Sequence, residues 1–285
     1  MPELPEVETI VRGLEKKVLK RTFLNIWTDS KKLFKGIAFN NFVKKIKGKK
    51  IKNIRRRGKN ILFDLSEGLT LLIHQKITGH LLIGKWGKKD NKYISLEKGA
   101  KLNDPINQSI RVVFFFDKGI QMALSDLRKF AKIELKETEE IEKELSVLGP
   151  EPLEINFKEF KELFLNKKGV IKQVLMNQNF IVGIGNIYAN DILWEAKISP
   201  KRRLESLKEE EIEKIYSAMK RILNESIKLK GDSFSDFRTI SGEKGGYHKI
   251  IRVYGKEGEK CKCGGTIRRI KQGGRSSFFC PNCQK

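Results

Sequence analysis

All four cysteines of this 285-residue chain fall within its last 25 residues. They read Cys261-x-Cys263, sixteen residues, then Cys280-Pro-Asn-Cys283. Two close thiol pairs that far apart meet only if the segment between them folds back as a hairpin. Two disulfides or one tetrahedral thiolate site would both satisfy such a layout. The opening residues MPELPEVETI lack a basic start followed by an apolar stretch, so no secretory signal is expected. In a reducing compartment disulfides do not persist, and the spacing then reads as a zinc ribbon. One structural Zn2+ is expected on Cys261, Cys263, Cys280 and Cys283. The first pair is one residue tighter than the usual Cys-x2-Cys, which leaves less room for backbone N–H groups to donate to the sulfurs.

The rest of the chain is strongly basic. Lys and Arg total 59 against 35 Asp and Glu, a formal charge of +24, with clusters at 44–59 and 268–275. A polyanion is the natural counterpart of such a field: nucleic acid first, an anionic membrane surface second. A merely solvated basic surface would give the same count. Apolar runs such as Val112–Phe116 fall well short of the roughly 18 residues that span a bilayer, so no membrane segment is expected. At about 100–200 residues per domain, the length suggests two domains.

Val7, Ile10, Val11, Leu14 and Val18 recur at helical spacing, so Glu6 to Lys20 reads as a helix with Pro5 near its start. Short apolar segments follow at Ile61–Leu65, Leu69–His74, His80–Trp86, Arg111–Phe116, Ile120–Ser125 and Ala131–Leu135. Phe116-Asp-Lys-Gly-Ile120 is a hairpin turn signal. These describe an antiparallel β domain, packed as a sandwich or, less favourably, as one open sheet. Near Leu135 the character changes. An acidic helical stretch, Glu137–Glu144, precedes the rigid Leu148-Gly-Pro-Glu-Pro152, and helices dominate beyond it. Ser206-Leu-Lys-Glu209 resembles a capping box ahead of a long helix with an Ile212, Ile215, Met219, Ile222, Leu223, Ile227 face, closed by Gly231, and Ser233–Asp236 forms a second small box. Gly183-x-Gly185-Asn186 could hold a phosphate at a helix N-terminus or simply be a tight turn between helices.

Together PELPEVET, RRRGKNILF (55–63), LGPEPL (148–153), VGIGNIYANDILWEAKISP (182–200), GDSFSDF (231–237), VYGKEGEKC (253–261) and GGRSSFFCPNCQ (273–284) resemble the formamidopyrimidine-DNA glycosylases, relatives of endonuclease VIII. The resemblance runs nearly end to end. It implies an α+β fold of two domains: an N-terminal antiparallel β-sandwich with a leading helix, and a C-terminal helix-two-turns-helix domain ending in a zinc-ribbon β-hairpin, with DNA in the cleft between them. Expected boundaries are 1–135 for the catalytic sandwich, 136–155 for a linker, 156–250 for the helix-two-turns-helix domain and 251–285 for the zinc hairpin.

The activity implied is removal of oxidised purines, 8-oxoguanine and formamidopyrimidines, followed by β,δ-elimination at the abasic site. The nucleophile is Pro2 once Met1 is removed; an unperturbed α-amino group, with a pKa of about 7.7–8, has a useful neutral fraction at neutral pH. Glu3 matches the general acid and Glu6 a supporting carboxylate. Lys59 and Arg275 match groups that reach phosphates at the lesion and assist elimination. Asn186 and Lys167 match phosphate contacts on the helical domain, and Tyr247, closing a Gly-rich stretch from Thr239, is placed among the DNA contacts. Arg128 and Phe130 match two parts of a wedge that fills the hole left by an extruded base, with Arg128 on the orphaned cytosine. The third is usually Met in an M-x-G turn and here is Ile77, shorter and stiffer. Asn107-Gln108-Ser109 stands where a His-Asp-His segment is common, so Ser109 is only a weak substitute contact. Likewise D-P-R-R-F has become Asp126-Leu-Arg-Lys-Phe130. The expected partner is damaged double-stranded DNA, the expected state a monomer, and the expected location cytoplasmic, on the nucleoid. Rival readings are an endonuclease VIII-like enzyme for oxidised pyrimidines and a non-catalytic zinc-finger DNA-binding protein.

Overall fold

The computed structural model describes residues 1–97, 101–233 and 236–285. These form two compact units, residues 1–146 with 229–246 and residues 147–228 with 247–285.

The first unit opens with α1 (Leu4–Val18), whose Val7, Ile10, Val11, Leu14 and Val18 are buried as their spacing predicts. It starts two residues earlier than expected, because Pro5 sits in the first turn, where its missing N–H costs nothing. There follow β1 (Phe23–Thr28), β2 (Phe34–Lys35), α2 (Phe39–Ile46), β3 (Ile51–Arg57), β4 (Asn60–Leu65), β5 (Leu69–His74) and β6 (Gly79–Gly84). Then come β7 (Trp86–Lys89), β8 (Lys92–Ser95), β9 (Ile110–Phe116), β10 (Gln121–Asp126), β11 (Lys132–Glu137) and α3 (Thr138–Leu145). One sheet runs β1-β9-β10-β6, the other β2-β11-β5-β4-β3. Every pairing within them is antiparallel except β11 with the two-residue β2.

The two sheets face each other across one core. Phe23, Phe114, Met122 and Leu124 from the first sheet meet Ile54, Phe63, Leu71 and Ile133 from the second, with α1 adding Val7, Ile10 and Leu14. The sandwich is therefore the packing adopted, and the single open sheet is not. At the β9–β10 turn Lys118 and Gly119 both take positive φ, 55° and 71°, as the Asp-Lys-Gly signal requires. The segment expected as one strand from His80 to Trp86 breaks at Lys85, and β7–β8 folds back as a hairpin. Trp86, Tyr93 and Leu102 then cover the outward side chains Leu82, Val113 and Ala123, so both faces of the first sheet are buried.

The second unit contains α4 (Phe157–Glu162), α5 (Ile171–Leu175), α6 (Asn186–Glu195), α7 (Glu209–Lys228), β12 (Arg268–Gln272) and β13 (Arg275–Phe279). The expected Ser206–Glu209 capping box does not form. Ser206 Oγ donates to the Arg203 carbonyl at 2.7 Å, and the Glu211 carboxylate accepts from the Lys208 N–H at 2.9 Å, moving the cap two residues on. The α7 face from Ile212 to Ile227 is buried as predicted. The helix ends at Lys228, and residues 229–246 pack with the first unit rather than with the helices that the sequence reading grouped them with. Gly231 (φ 82°) makes that departure, and a Cβ on Gly245 would lie 2.3 Å from the Gly231 carbonyl, so the two ends of the excursion pinch together. Residues 234 and 235 of the expected Ser233–Asp236 box lie outside the described residues. Among the described residues no helix is long and apolar enough to cross a membrane.

Candidate active site and zinc centre

In the first unit, Pro2 and Glu3 are buried at the mouth of α1, with Glu3 as the N-cap residue in extended conformation. Glu6, also buried, bridges two backbone donors. Its Oε2 accepts from the Glu3 N–H at 2.8 Å and its Oε1 from the Asp232 N–H at 2.7 Å. A Cβ on Gly231 would come within 2.9 Å of Glu6 Oε1, so glycine lets this chain segment lie directly on the carboxylate. Glu6 thus fixes the residue beside the expected nucleophile and the root of the 232–246 loop with one side chain.

Lys59 is buried in the two-residue turn between β3 and β4, made possible by Gly58 at φ 57°. Arg56, one turn-length earlier, donates to Glu8 of α1 at 2.9 Å and ties this hairpin to the helix carrying Glu3. His74 ends β5, one register step beyond the Ile61–Ile73 pair and so alongside the Lys59 turn. Burial, then the charges of Lys76, Lys59 and Lys132, push its pKa down to about 3. Its Nδ1 accepts from the Lys76 N–H at 3.0 Å, which leaves the proton on Nε2. A neutral N–H donor therefore stands beside Lys59.

Ile77, Arg128 and Phe130 lie on two adjoining turns, 75–79 and 126–131. Ile77 and Phe130 are exposed, and the Arg128 guanidinium lies 5.0 Å from the centre of the Phe130 ring. An exposed aromatic at a turn tip is not packing the core, so Phe130 is available to a partner. Ser109 is half-buried and its carbonyl accepts from the Asp126 N–H at 2.8 Å. Its neighbour Asn107 is buried: its Oδ1 sits 2.8 Å from His80 Nε2 and its amide donates to the Lys101 carbonyl at 2.7 Å. The 238–243 segment rests on the same region through Ile83 N–H to the Ile240 carbonyl (2.7 Å) and Arg238 to Asp104 (3.0 Å).

In the second unit, Gly183 (φ 88°) and Gly185 lead into α6, with Asn186 half-buried at its first turn. Gln178 pins this turn, accepting from the Gly183 N–H at 3.0 Å and donating to the Ile184 carbonyl at 2.9 Å. LGPEP packs against it so closely that a Cβ on Gly149 would lie 2.5 Å from the Phe180 backbone. The two motifs are one construction whose product is the half-buried start of α6. Lys167 is exposed on the loop after α4. Arg275 is exposed at the start of β13, just after the Gly273–Gly274 turn. Lys172 of α5 holds that strand from beneath, donating to the Ser276 carbonyl at 2.7 Å and to Ser277 Oγ at 2.8 Å.

The four cysteine sulfurs all lie within 4.8 Å of one another, with Cys261–Cys283 at 3.8 Å and Cys263–Cys280 at 3.5 Å. A tetrahedron of thiolates about 2.3 Å from Zn2+ has edges of about 3.8 Å, so the donor set fits. Burial and the neighbouring sulfurs push the Cys283 thiol up to about 12. Burial also acts on Cys261, but N–H donors from Cys263 and Trp194 outweigh it and bring that thiol down to about 6. Sulfurs this close resist ionising together, and a dication supplies the missing charge. Gly264 (φ 84°) and Gly265, where a Cβ would lie 2.8 Å from Cys280 Sγ, give the tight Cys-x-Cys knuckle its room.

Residues 1–133 match the family described as Formamidopyrimidine-DNA glycosylase N-terminal domain, 148–238 its H2TH domain, and 258–285 the zinc finger found in FPG and IleRS. A formamidopyrimidine-DNA glycosylase of Desulfitobacterium hafniense is 38% identical over the whole of both chains. The chain belongs to the formamidopyrimidine-DNA glycosylase family. Among solved structures, a point mutant of the Lactococcus lactis FPG in complex with Fapy-dG-containing DNA is 31% identical, covers 100% of both chains and has a TM-score of 0.86. MutM in complex with carbocyclic 8-oxo-G-containing DNA is similar at 31%, again over 100% of both chains, with a TM-score of 0.85. Like its family, the chain is an enzyme with one structural zinc site.

One residue of the expected glycosylase site needs correcting. Tyr247 is fully buried, its hydroxyl donating to Asp191 Oδ2 at 2.8 Å and its ring 5.2 Å from that of Tyr188. It anchors the start of the segment leading to the zinc hairpin, and its side chain is not exposed to make the contact expected of it. Conversely, His74 carries no motif; its only signal in the sequence is a histidine ending a buried strand beside a basic turn. Asn107 reads in the sequence only as a missing histidine, whereas its side chain closes a buried network.

Proposed function

We propose that the chain is a bifunctional base-excision repair enzyme that removes oxidised purines, 8-oxoguanine and formamidopyrimidines, from double-stranded DNA. It then cleaves the abasic site through a Schiff base on Pro2, acting as a monomer in the cytoplasm. The observation that carries this is the α1 mouth: Pro2 and Glu3 held in place by a buried Glu6 that grips both sides of the site.

With Met1 removed, the secondary amine of Pro2 attacks C1′. The glycosidic bond breaks with its electron pair going to the base, and the C1′–O4′ bond then opens with its pair going to O4′; of the two protons the base and O4′ take up, Glu3 supplies one and the amine the other, which leaves an iminium between the Pro2 nitrogen and C1′. The resulting iminium withdraws electrons, so C2′ yields a proton and the C3′–O bond breaks, releasing the 3′ phosphate. A second proton loss at C4′ releases the 5′ phosphate. Glu6 positions this end of the chain and does not exchange protons in the scheme. Lys59 and the His74 Nε2–H offer a cation and a neutral donor to the phosphates at the lesion, and Arg275 a second cation to both departing phosphates. Asn186 at the start of α6 and Lys167 hold backbone phosphates without reading sequence. Phe130 and Ile77 fill the vacated stack, and Arg128 hydrogen-bonds the unpaired cytosine. Zn2+ on the four cysteines cross-links the hairpin that presents Arg275.

Borohydride trapping on duplexes carrying 8-oxoguanine, a formamidopyrimidine or an oxidised pyrimidine tests the proposal. The purine lesions should be excised fastest and leave a covalent adduct that Pro2→Gly loses. An undiminished adduct in Pro2→Gly would refute the assignment of the nucleophile, and preferred excision of the pyrimidine lesion would favour the endonuclease VIII-like reading.

A further inference from the structure

The turns at 75–79 and 126–131 are separate crossings between the two sheets, β5 to β6 and β10 to β11, yet one hydroxyl joins them. Thr78 Oγ1 donates to Asp126 Oδ1 and accepts from the Arg128 N–H at 3.1 Å. The other Asp126 oxygen accepts from the Ala131 N–H at 2.8 Å, and the Asp126 carbonyl accepts from Arg111 Nε at 3.0 Å. Both Thr78 and Asp126 are buried, while Ile77, Leu127 and Phe130 around them are 41%, 68% and 50% exposed. The surrounding backbone has little freedom to compensate. Asp126 pairs with Gly79 across the β6–β10 ladder, and a Cβ on Gly79 would lie 2.3 Å from the Gln75 carbonyl. Lys76 in the first turn and Lys129 in the second each take a positive φ, 56° and 55°, as tight turns require.

We propose that Thr78 is a positioning residue for opposite-base reading: through its hydroxyl it fixes the Arg128 backbone against Asp126, so that Ile77, Arg128 and Phe130 act on the duplex as one rigid body. The inference rests on the proposed role of Arg128 at the orphaned base. Arg128 touches the base in this scheme and Thr78 does not. What Thr78 controls is where the guanidinium points, because its hydroxyl is the only side-chain acceptor for the Arg128 N–H among the described hydrogen bonds. Removing the hydroxyl frees that N–H and leaves the buried Asp126 carboxylate short of a donor.

The experiment measures single-turnover excision of 8-oxoguanine opposite cytosine and opposite adenine, with each preparation normalised to the fraction that traps on a single-stranded abasic oligonucleotide. Thr78→Val keeps the shape and removes the hydroxyl. It should lower the cytosine-to-adenine rate ratio about five-fold, the worth of one ordinary hydrogen bond. Thr78→Ser should restore it, since a purely steric role would leave Val the better substitute. Arg128→Ala is the reference. If Arg128→Ala leaves the ratio unchanged, the underlying reading of Arg128 is wrong. If Arg128→Ala collapses the ratio while Thr78→Val keeps it at the parent value, the proposal for Thr78 is overturned. If Thr78→Ser behaves like Thr78→Val, the hydroxyl is not the operative group and the proposal is likewise overturned.

Discussion

Replacing Glu6 with Gln isolates what holds the α1 mouth together. In the parent chain the two carboxylate oxygens accept from two different backbone donors, Glu3 N–H at 2.8 Å and Asp232 N–H at 2.7 Å, inside a buried site. Glutamine fills the same volume with one oxygen and one NH2. Whichever way it turns, the NH2 must face an N–H group, and one buried donor loses its acceptor. An unsatisfied buried donor costs about 1–3 kcal/mol, and a hydrogen bond to a charged acceptor sits at the upper end of that range. We expect about 2–3 kcal/mol of local stability to be lost, read as faster native-state hydrogen exchange in α1 and at residues 229–233. The single-turnover trapping rate should fall at least about ten-fold, with duplex affinity changing less, because the nucleophile's neighbour is misplaced while the phosphate contacts remain. Exchange and trapping both within about two-fold of the parent would show that Glu6 does not hold the site.

Three further outcomes follow from the same geometry. Cys280→Ser should lower zinc content below one per chain by elemental analysis and weaken duplex binding in parallel, because the hairpin carrying Arg275 loses its cross-link. Burial and the nearby lysines hold folded His74 down at about 3, whereas an unfolded histidine titrates near about 6.5. As pH falls below about 6.5 the unfolded chain takes up the proton first, so stability is fully present above that pH and declines towards about 3. Denaturation midpoints of His74→Asn should therefore drop less than the parent's across this window, and an identical pH profile would contradict the assignment. Arg275→Ala should reduce the slope of log affinity against log salt by about 0.9, one phosphate's worth, and an unchanged slope would mean that Arg275 makes no phosphate contact.

The sequence exposed what periodicity and punctuation carry. Helix α1 and the α7 face were legible because their apolar residues recur every three or four positions, and the β9–β10 turn because Asp-Lys-Gly leaves few alternatives. The zinc set was legible from cysteine spacing, though the reason the tight knuckle works, glycine at 264 and 265, appears only in three dimensions. The β7–β8 hairpin was not readable. Lys88 and Lys89 of β7 and Lys92 of β8 are polar on a hairpin whose Trp86 and Tyr93 pack on the outer face of another sheet, and no local signal announces that face. The excursion of 229–246 was missed for a similar reason: a glycine-rich loop after a helix looks alike wherever it docks, and what decides is Glu6, 226 positions from Asp232 in sequence. Tyr247 shows the limit of motif transfer. A tyrosine beside a glycine-rich loop reads as a contact residue until its hydroxyl is seen spent on Asp191. Thr78 gave no sign of its own, since its partners lie 48 and 50 positions away.

The central claim concerns a single nitrogen. Intact-mass measurement of the purified enzyme, followed by peptide mapping of its borohydride-trapped DNA adduct, addresses it directly. The account predicts a chain lacking Met1 with deoxyribose attached to the peptide that begins at Pro2. Full retention of Met1 together with ordinary strand cleavage, or an adduct on a lysine peptide instead, would contradict it.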